Sequence, residues 1–266
     1  MGPRAHLINA DNSKPAGDVT SFNYDILNIT GHRPWPMPSS PWVMTQTWND
    51  LLFAHWPVAA DVLREKIPRG FELDEFEGQA WLGIVPFYMT NVSPRGVPNL
   101  PWMSEFAELN VRTYVRVGGD PGVYFFSLDA ANSVAVGVAR TMFNLPYFSA
   151  NMRVNEREGW IDYESRRSSA PAEFVARYRP IDDARPPLTG TLEHFLTERY
   201  CLFTVDSSFH ACRVDIHHPP WPLQRAEAQI TVNTMADAAG IRLPATAPLL
   251  HFSKRQDMVG WMIHRV

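Results

Sequence analysis

Twenty-three prolines, spread among short apolar runs, limit what this chain can fold into. Proline breaks helix interiors and cannot donate a hydrogen bond inside a sheet, so long helices are disfavoured. Hydrophobic residues make up 45% of the 266 positions, which is enough to bury a substantial core. The sequence therefore predicts a mainly β protein, α+β with few short helices, whose short antiparallel strands form a barrel or a coiled sheet.

The organisation along the chain predicts one domain behind an irregular extension. Residues 1–41 show little periodicity and include a proline-rich stretch, whereas 42–266 contain no linker and no repeat. Pro57 followed by apolar residues at helical spacing predicts a helix that stops at Pro68, and a second helix is expected around Leu192. A short helix is expected at 235–240, and strands at 80–89, 108–117, 123–128, 133–139, 201–205, 211–216 and 226–232.

Charge and composition exclude several classes of partner. The net charge of -4 creates no field that attracts nucleic acid or an anionic membrane, and no apolar run is long enough to span a bilayer. Two cysteines outside any CxxC pattern cannot form a disulfide framework, which favours a reduced, cytoplasmic protein. A small-molecule ligand and a homo-oligomer remain compatible with the sequence.

The common catalytic signatures are missing: there is no GxGxxG, P-loop, GxSxG or HExxH pattern. His217 and His218 are adjacent, so on a strand they point to opposite faces and cannot easily bind one metal ion. The remaining histidines add no recognised ligand spacing. We therefore expect no metal site and no cofactor.

One predicted strand, 106–115, carries polar side chains on a single face. Alternation places apolar residues on the other face, while this face carries Glu108, Asn110, Arg112 and Tyr114. Such a face is either solvent-exposed surface or the wall of a polar cavity, and in isolation the solvated face is the more common case.

A second candidate element is the segment 140–147. Arg140 ends an apolar strand, and Pro146 stiffens the approach to Tyr147. A strand-to-turn transition with a buried aromatic explains the same pattern, because tyrosine buries well when its hydroxyl finds a partner.

Several segments resemble the YqjF-like family of bacterial proteins of unknown function, over about 42–266. They lie at 108–115, 125–130, 145–147, 196–201 and 216–224. That family is in turn similar to the acetoacetate decarboxylase superfamily. The resemblance implies coiled antiparallel sheets, barrel-like or cone-like, around an internal pocket.

The decarboxylase resemblance extends to individual positions. The decarboxylases have an aromatic-x-Glu element whose glutamate lines the pocket, and 106–108 match it, which implies that role for Glu108. Arg140 and Pro146 also match the family pattern, but Tyr147 and Phe148 stand where the decarboxylases have two lysines, the first of which forms the Schiff base. A pocket arginine of the decarboxylases is also unmatched, with Asn49 nearest by spacing.

The missing lysines argue against decarboxylase chemistry, because an imine needs an uncharged amine. The chain has three lysines, and we expect Lys66 on a solvent-facing helix and Lys254 far along the chain, so neither is an obvious substitute.

Three functions remain open. The first is binding of a small oxygenated molecule, carrying a carboxylate, by Arg112, Arg140, Asn110 and Tyr114. The second is a lyase, isomerase or cyclase without imine chemistry, in which Glu108 acts as acid or base and Tyr147 donates to a developing oxyanion. The third is a vestigial pocket in an interaction protein. The sequence leaves open whether the protein is an enzyme.

Overall fold

The computed structural model describes residues 21–97, 104–132 and 143–266. Helix α1 spans Ala60–Arg64 and α2 spans Leu192–Thr197, with 3₁₀ helices at Tyr24–Asn28 and Asp237–Ala239. The strands described, β1 to β13 in chain order, are Met44–Val58, Glu72–Leu73, Ala80–Pro94, Phe106–Val117, Asp120–Ala130, Tyr147–Arg157, Trp160–Arg167, Glu173–Pro180, Cys201–Val205, Ala211–His217, Gln224–Asn233, Leu249–Gly260 and His264–Arg265. The expected mainly β fold is confirmed.

The strands of the described segments pair into a sheet that closes on itself. One closed ring of nine strands runs β5-β6-β7-β8-β11-β12-β1-β3-β4 and back to β5. Strand β10 pairs with both β12 and β9, and β9 pairs with β5, which closes a second ring of seven strands, β12-β1-β3-β4-β5-β9-β10. Strands β12, β1, β3, β4 and β5 therefore belong to both rings.

The shared strands separate two interiors because successive side chains of a strand point to opposite faces. On β4, Leu109 and Val111 pack in the core of the nine-strand barrel together with Tyr163. On β1, Leu51 and Phe53 belong to the other cluster, which lines the inside of the smaller ring. Residues of β4 that alternate with Leu109 and Val111 consequently face the smaller ring.

The predicted start of the first helix at Pro57 is wrong. Strand β1 continues through Val58, and Pro57 pairs with Trp81 of β3 before α1 begins at Ala60. The pairing of β1 with β12 ends at His55, so Pro57 lies where one side of the strand is unpaired and proline's missing N–H is tolerated.

Other strand predictions agree with the structure in position, and several strands were not predicted. Strand β9 matches the expected 201–205, whereas β1, β6, β7, β8 and β12 had no counterpart. The expected strand at 133–139 lies outside the described residues. Within the described segments, none of the helices is long and apolar enough to cross a membrane.

Residues 21–42 lie against the domain rather than apart from it. Ile26 is buried in a cluster with Val259 and Trp261, and Arg33 donates from Nη1 to the carbonyl of Ile216 at 2.8 Å. The predicted boundary between an extension at 1–41 and a domain at 42–266 stays a prediction.

Candidate functional site

A cavity of about 130 Å³ lies inside the seven-strand ring. Its wall takes side chains from all seven strands of that ring, from the start of β6 and from the segments that flank α2 and β10. Most of the lining is apolar, for example Leu51, Val85, Phe87 and Leu128. A few polar groups converge on this wall, which is the usual composition of a small-molecule site.

Glu108 lines this cavity and is almost completely buried, with 3% of its surface exposed. The hydroxyl of Tyr147 donates to its Oε2 at 3.0 Å, and the hydroxyl of Tyr163 donates to its backbone oxygen at 2.7 Å. Burial raises the pKa of Glu108 to about 8; the Tyr147 hydrogen bond opposes this shift and the charge of Asp129 adds to it. The carboxyl group is therefore mostly protonated at pH 7.

Tyr147 begins β6 and lines the same cavity. Its position follows from the backbone, because Leu128 of β5 donates to the carbonyl of Pro146 at 3.0 Å and pairs in register with Tyr147. Burial first, and then the proximity of Glu108, raises the pKa of Tyr147 well above its ordinary value. The phenol is therefore a neutral hydrogen-bond donor and not a nucleophile.

Arg112 also lines the cavity. It follows Glu108 and Asn110 on the same face of β4. Its Nη2 donates to the carbonyl of Leu196 at 3.2 Å, and its guanidinium carbon lies 5.3 Å from the centre of the Phe53 ring. No carboxylate of the described residues lies within 4.0 Å of the guanidinium. The buried Nε of Arg112 and Oδ1 of Asn110 have no hydrogen-bond partner in this part of the chain.

Tyr114 does not line the cavity, although the alternation of β4 placed it on the same face. The register shift at this point inserts Phe126 on β5, while β4 pairs with β3 without interruption, so Tyr114 keeps the alternation but packs with Val123 and Leu196 outside the cavity lining. The Tyr114 hydroxyl donates to the carbonyl of Leu196 at 2.7 Å and lies 2.6 Å from Nε2 of His55. Tyr114 and Arg112 therefore donate to the same carbonyl group, and this shared acceptor holds the two side chains next to each other.

Arg140 lies outside the described residues, so the structure gives no position for it. Among the described residues, the side-chain partner of Glu108 is Tyr147, and no arginine lies within ion-pair distance of it.

The lining residues that the sequence reasoning missed include Trp48, Arg199, His218 and Trp221. Arg199 forms a buried ion pair with Asp74, with Nη1 and Oδ2 2.6 Å apart. Burial lowers the pKa of His218, whose two ring nitrogens lie 2.7 Å and 3.2 Å from the carbonyl oxygens of Pro219 and Arg199. His218 and Trp221 lie in the segment 216–224 and Arg199 lies in 196–201, two of the segments that carry the family resemblance, whereas no such signal marks Trp48.

The two described lysines lie away from the cavity. Lys254 lies 2.7 Å from Oδ1 of Asp50; burial opposes its charge, but Asp50 and Glu156 raise its pKa above the ordinary value. Lys66 is exposed just after α1, and neither lysine lines the cavity. Lys14 lies outside the described residues, which also contain no group of His, Cys, Asp or Glu able to hold a metal ion.

Comparison with known proteins places the chain in a family. A family model described as "Uncharacterized conserved protein" matches residues 45–257. The chain belongs to the DUF2071 family. It is also 48% identical over 230 residues to the uncharacterized protein YqjF of Bacillus subtilis (strain 168), which covers 86% of this chain and 95% of that protein. The expected YqjF-like membership is confirmed.

The fold of this DUF2071 chain is similar to that of acetoacetate decarboxylase. It matches acetoacetate decarboxylase from Legionella pneumophila with a TM-score of 0.60 and 14% identity, over 93% of this chain and 97% of that one. It matches the enduracididine biosynthesis enzyme MppR, complexed with pyruvate, with a TM-score of 0.61 and 11% identity, over 87% of this chain and 93% of that one. At such identities the likeness establishes the fold alone.

Proposed function

We propose that the cavity binds a small oxygenated molecule through its carboxylate, and that it does so without Schiff-base chemistry. The carboxylate contacts Arg112, with Asn110 beside it and Arg140 as a further ligand proposed from its register match alone. Tyr114 holds the arginine rather than touching the ligand. The single observation that carries the proposal is the guanidinium of Arg112 in the cavity wall with no carboxylate near it among the described residues.

The charges around the cavity support an anionic ligand. Glu108 is mostly neutral at pH 7 because its pKa is about 8, and the charge of Arg199 is offset by Asp74. His218 is neutral because burial lowers its pKa. The described lining therefore carries the net positive charge of Arg112, and an arginine fork matches the geometry of a carboxylate.

The size of the cavity supports a ligand of few atoms. Its volume of about 130 Å³ is similar to that of an engineered apolar cavity of about 150 Å³ that holds benzene. A monocarboxylate with a short carbon chain or one ring fits this volume, with its apolar part against Leu51, Val85 and Leu128.

The arrangement also argues against an imine. The position after Pro146, where the decarboxylase resemblance implies the reactive amine, is the phenol Tyr147, which donates to Glu108. Lys254 is charged and held by Asp50, and Lys66 is exposed and away from the cavity. A carbonyl compound bound here would meet hydrogen-bond donors instead of a nucleophilic amine.

A second candidate function is acid–base catalysis on the bound molecule, which the Glu108–Tyr147 pair favours. In its carboxylate form Glu108 would remove a proton next to a carbonyl group, while the hydroxyl proton of Tyr147 turns from Glu108 to the carbonyl oxygen, and protonated Glu108 would return the proton to carbon. A pKa of about 8 gives both protonation states near neutral pH. The vestigial pocket is the third possibility, and it predicts no binding at all.

Calorimetric titration with acetoacetate, 2-oxobutyrate and benzoate, each paired with its neutral amide, tests the binding proposal at pH 7. We expect at least one acid to bind roughly tenfold or more tighter than its amide, as a charge-assisted hydrogen bond requires. Arg112→Met should abolish this difference, whereas Arg64→Met, on the exposed face of α1, should leave it intact. Equal binding of acid and amide, or an unaffected Arg112→Met variant, would refute the role of Arg112.

Proton exchange distinguishes catalysis from binding. In D₂O, the C3 protons of 2-oxobutyrate should exchange faster with the protein than without it if Glu108 acts as a base, and Glu108→Gln should remove the acceleration. Binding of 2-oxobutyrate without faster exchange of its C3 protons would show that the protein binds the molecule but does not catalyse proton transfer.

A further inference from the structure

Aromatic side chains occupy much of the cavity wall. Six of the lining residues are aromatic rings: Trp48, Phe87, Phe125, Phe143, Tyr147 and Trp221. They come from β1, β3, β5, the 143–147 segment and the segment after β10, which lie at different positions around the seven-strand ring. A ligand in the cavity is therefore surrounded by rings on more than one side.

Part of this wall is one continuous aromatic cluster. The rings of Trp48 and Trp221 are stacked, 5.7 Å apart with 13° between their planes, and Phe87 meets Trp48 edge-on at 6.2 Å. Phe53 meets Trp221 edge-on at 4.9 Å. Mutual packing of this kind fixes the rings, so the wall is a rigid surface rather than an adaptable one.

The cation of the site is joined to this cluster. Arg112 lies 5.3 Å over the ring of Phe53, the same ring that Trp221 meets. The carboxylate position and the aromatic wall are therefore separated by one ring, which is a short enough distance for one small molecule to meet both. Phe125 of β5, which also lines the cavity, is the cross-strand partner of Arg112 on β4.

We propose that the ligand is a planar carboxylate, aromatic or conjugated, of the benzoate type, and that Trp48 and Phe125 determine this specificity. The inference rests on the proposed binding of a carboxylate at Arg112 and adds the chemical class of its body. A flat ring places its faces and edges against several aromatic side chains at once, while a puckered ring of the same carbon number reaches fewer of them. The volume of about 130 Å³ admits one such ring.

Benzoate and cyclohexanecarboxylate test the inference, since both carry the same charge and the same number of carbons. The saturated ring is thicker and more hydrophobic, so simple burial favours it. We expect benzoate to bind roughly two- to tenfold tighter, the range that aromatic contacts supply beyond buried area. Tryptophan fluorescence should also change on benzoate binding.

Trp48→Leu should bring the ratio of the dissociation constant of cyclohexanecarboxylate to that of benzoate close to one. Phe125→Leu should lower the same ratio. Trp160→Leu is the matched control, because Trp160 lies on β7 beneath Arg177 and Arg179 and away from the cavity. Far-ultraviolet circular dichroism verifies folding, and the Phe125 variant decides if the Trp48 variant does not fold.

The outcomes separate this inference from the proposed function. If both acids bind in a manner that depends on Arg112, but their dissociation constants for the wild type differ by less than about twofold, the planar class is wrong and carboxylate binding stands. If neither acid and none of the keto acids binds, the carboxylate site and the inference built on it both fail.

Discussion

Burial of Glu108 determines both its protonation state and its effect on the stability of the protein. A carboxyl group with 3% exposure loses most of its hydration, and the described part of the chain places a phenol rather than a cation beside it. The protein therefore holds a neutral carboxylic acid at pH 7, able to donate a proton or a hydrogen bond where an ordinary glutamate could only accept.

The pKa of Glu108 predicts a specific pH dependence of stability. In the unfolded chain it ionises near 4.5, and in the folded protein near 8, so the folded state retains its proton over that window. The free energy of unfolding is therefore lowered as pH rises from about 4.5 to 8, by at most roughly 5 kcal/mol from this residue. Glu108→Gln removes the titration and keeps an oxygen for Tyr147.

Chemical denaturation at pH 5 and pH 8.5 checks this prediction. The variant should gain stability relative to the wild type between the two pH values, whereas Glu65→Gln, on an exposed position after α1, should show no such gain. A constant difference between Glu108→Gln and the wild type would contradict the assigned pKa.

At the scale of elements, a buried ion pair fixes the strands that carry Tyr147. Strand β6 pairs with β5 through three residues, from Leu128 with Tyr147 onward, so this contact is short. Arg167 of β7 spans it and donates through Nε and Nη2 to the two oxygens of Asp129 of β5, both at 2.7 Å. The two side chains are 4% and 0% exposed.

Breaking this pair should destabilise the protein strongly. Arg167→Ala leaves Asp129 buried and unpaired, which costs roughly 3–5 kcal/mol, and combining Arg167→Met with Asp129→Leu should recover most of it. Arg153→Ala, which removes an exposed pair on β6, is the control and should change little. Denaturation midpoints measure all three, and equal losses for Arg167→Ala and Arg153→Ala would show that the buried pair is not a structural constraint.

At the scale of the whole molecule, the cavity exists because β9 and β10 close a second ring. The contact of β9 with β5 involves two residue pairs, and it depends on Gly122. A Cβ at Gly122 would lie 2.6 Å from Cε2 of Phe203 and 2.9 Å from Sγ of Cys201, so the strands approach as closely as they do because this residue has no side chain.

Gly122→Ala should therefore loosen the closure of the smaller ring. We expect a loss of roughly 1–3 kcal/mol from overpacking, together with weaker ligand binding because Cys201 and Leu202 line the cavity. Gly31→Ala, where an added Cβ meets nothing within 4 Å, is the control. If the two variants unfold at the same denaturant concentration, the close approach at Gly122 is not what determines the packing of β9.

The sequence alone determined the features that depend on local patterns. Proline distribution and alternation predicted a mainly β chain, and alternation along 108–115 put Glu108, Asn110 and Arg112 on one face. The segments at 108–115 and 216–224 indicated the family. These signals are legible because strand periodicity and motif spacing are properties of neighbouring residues.

Tertiary structure decided what surrounds that face. Whether Glu108 met water or a cavity depended on β9 and β10, which lie about a hundred residues away, closing a second ring over β4. Tertiary packing placed Tyr114 against Val123 and Leu196, outside the cavity lining, and the pairing of β6 with β5 brought Tyr147 to Glu108. Long-range pairing also joined Trp48, Trp221 and Arg112 around one volume, and no local pattern encodes such contacts, because they are set by which strands pair and in what register.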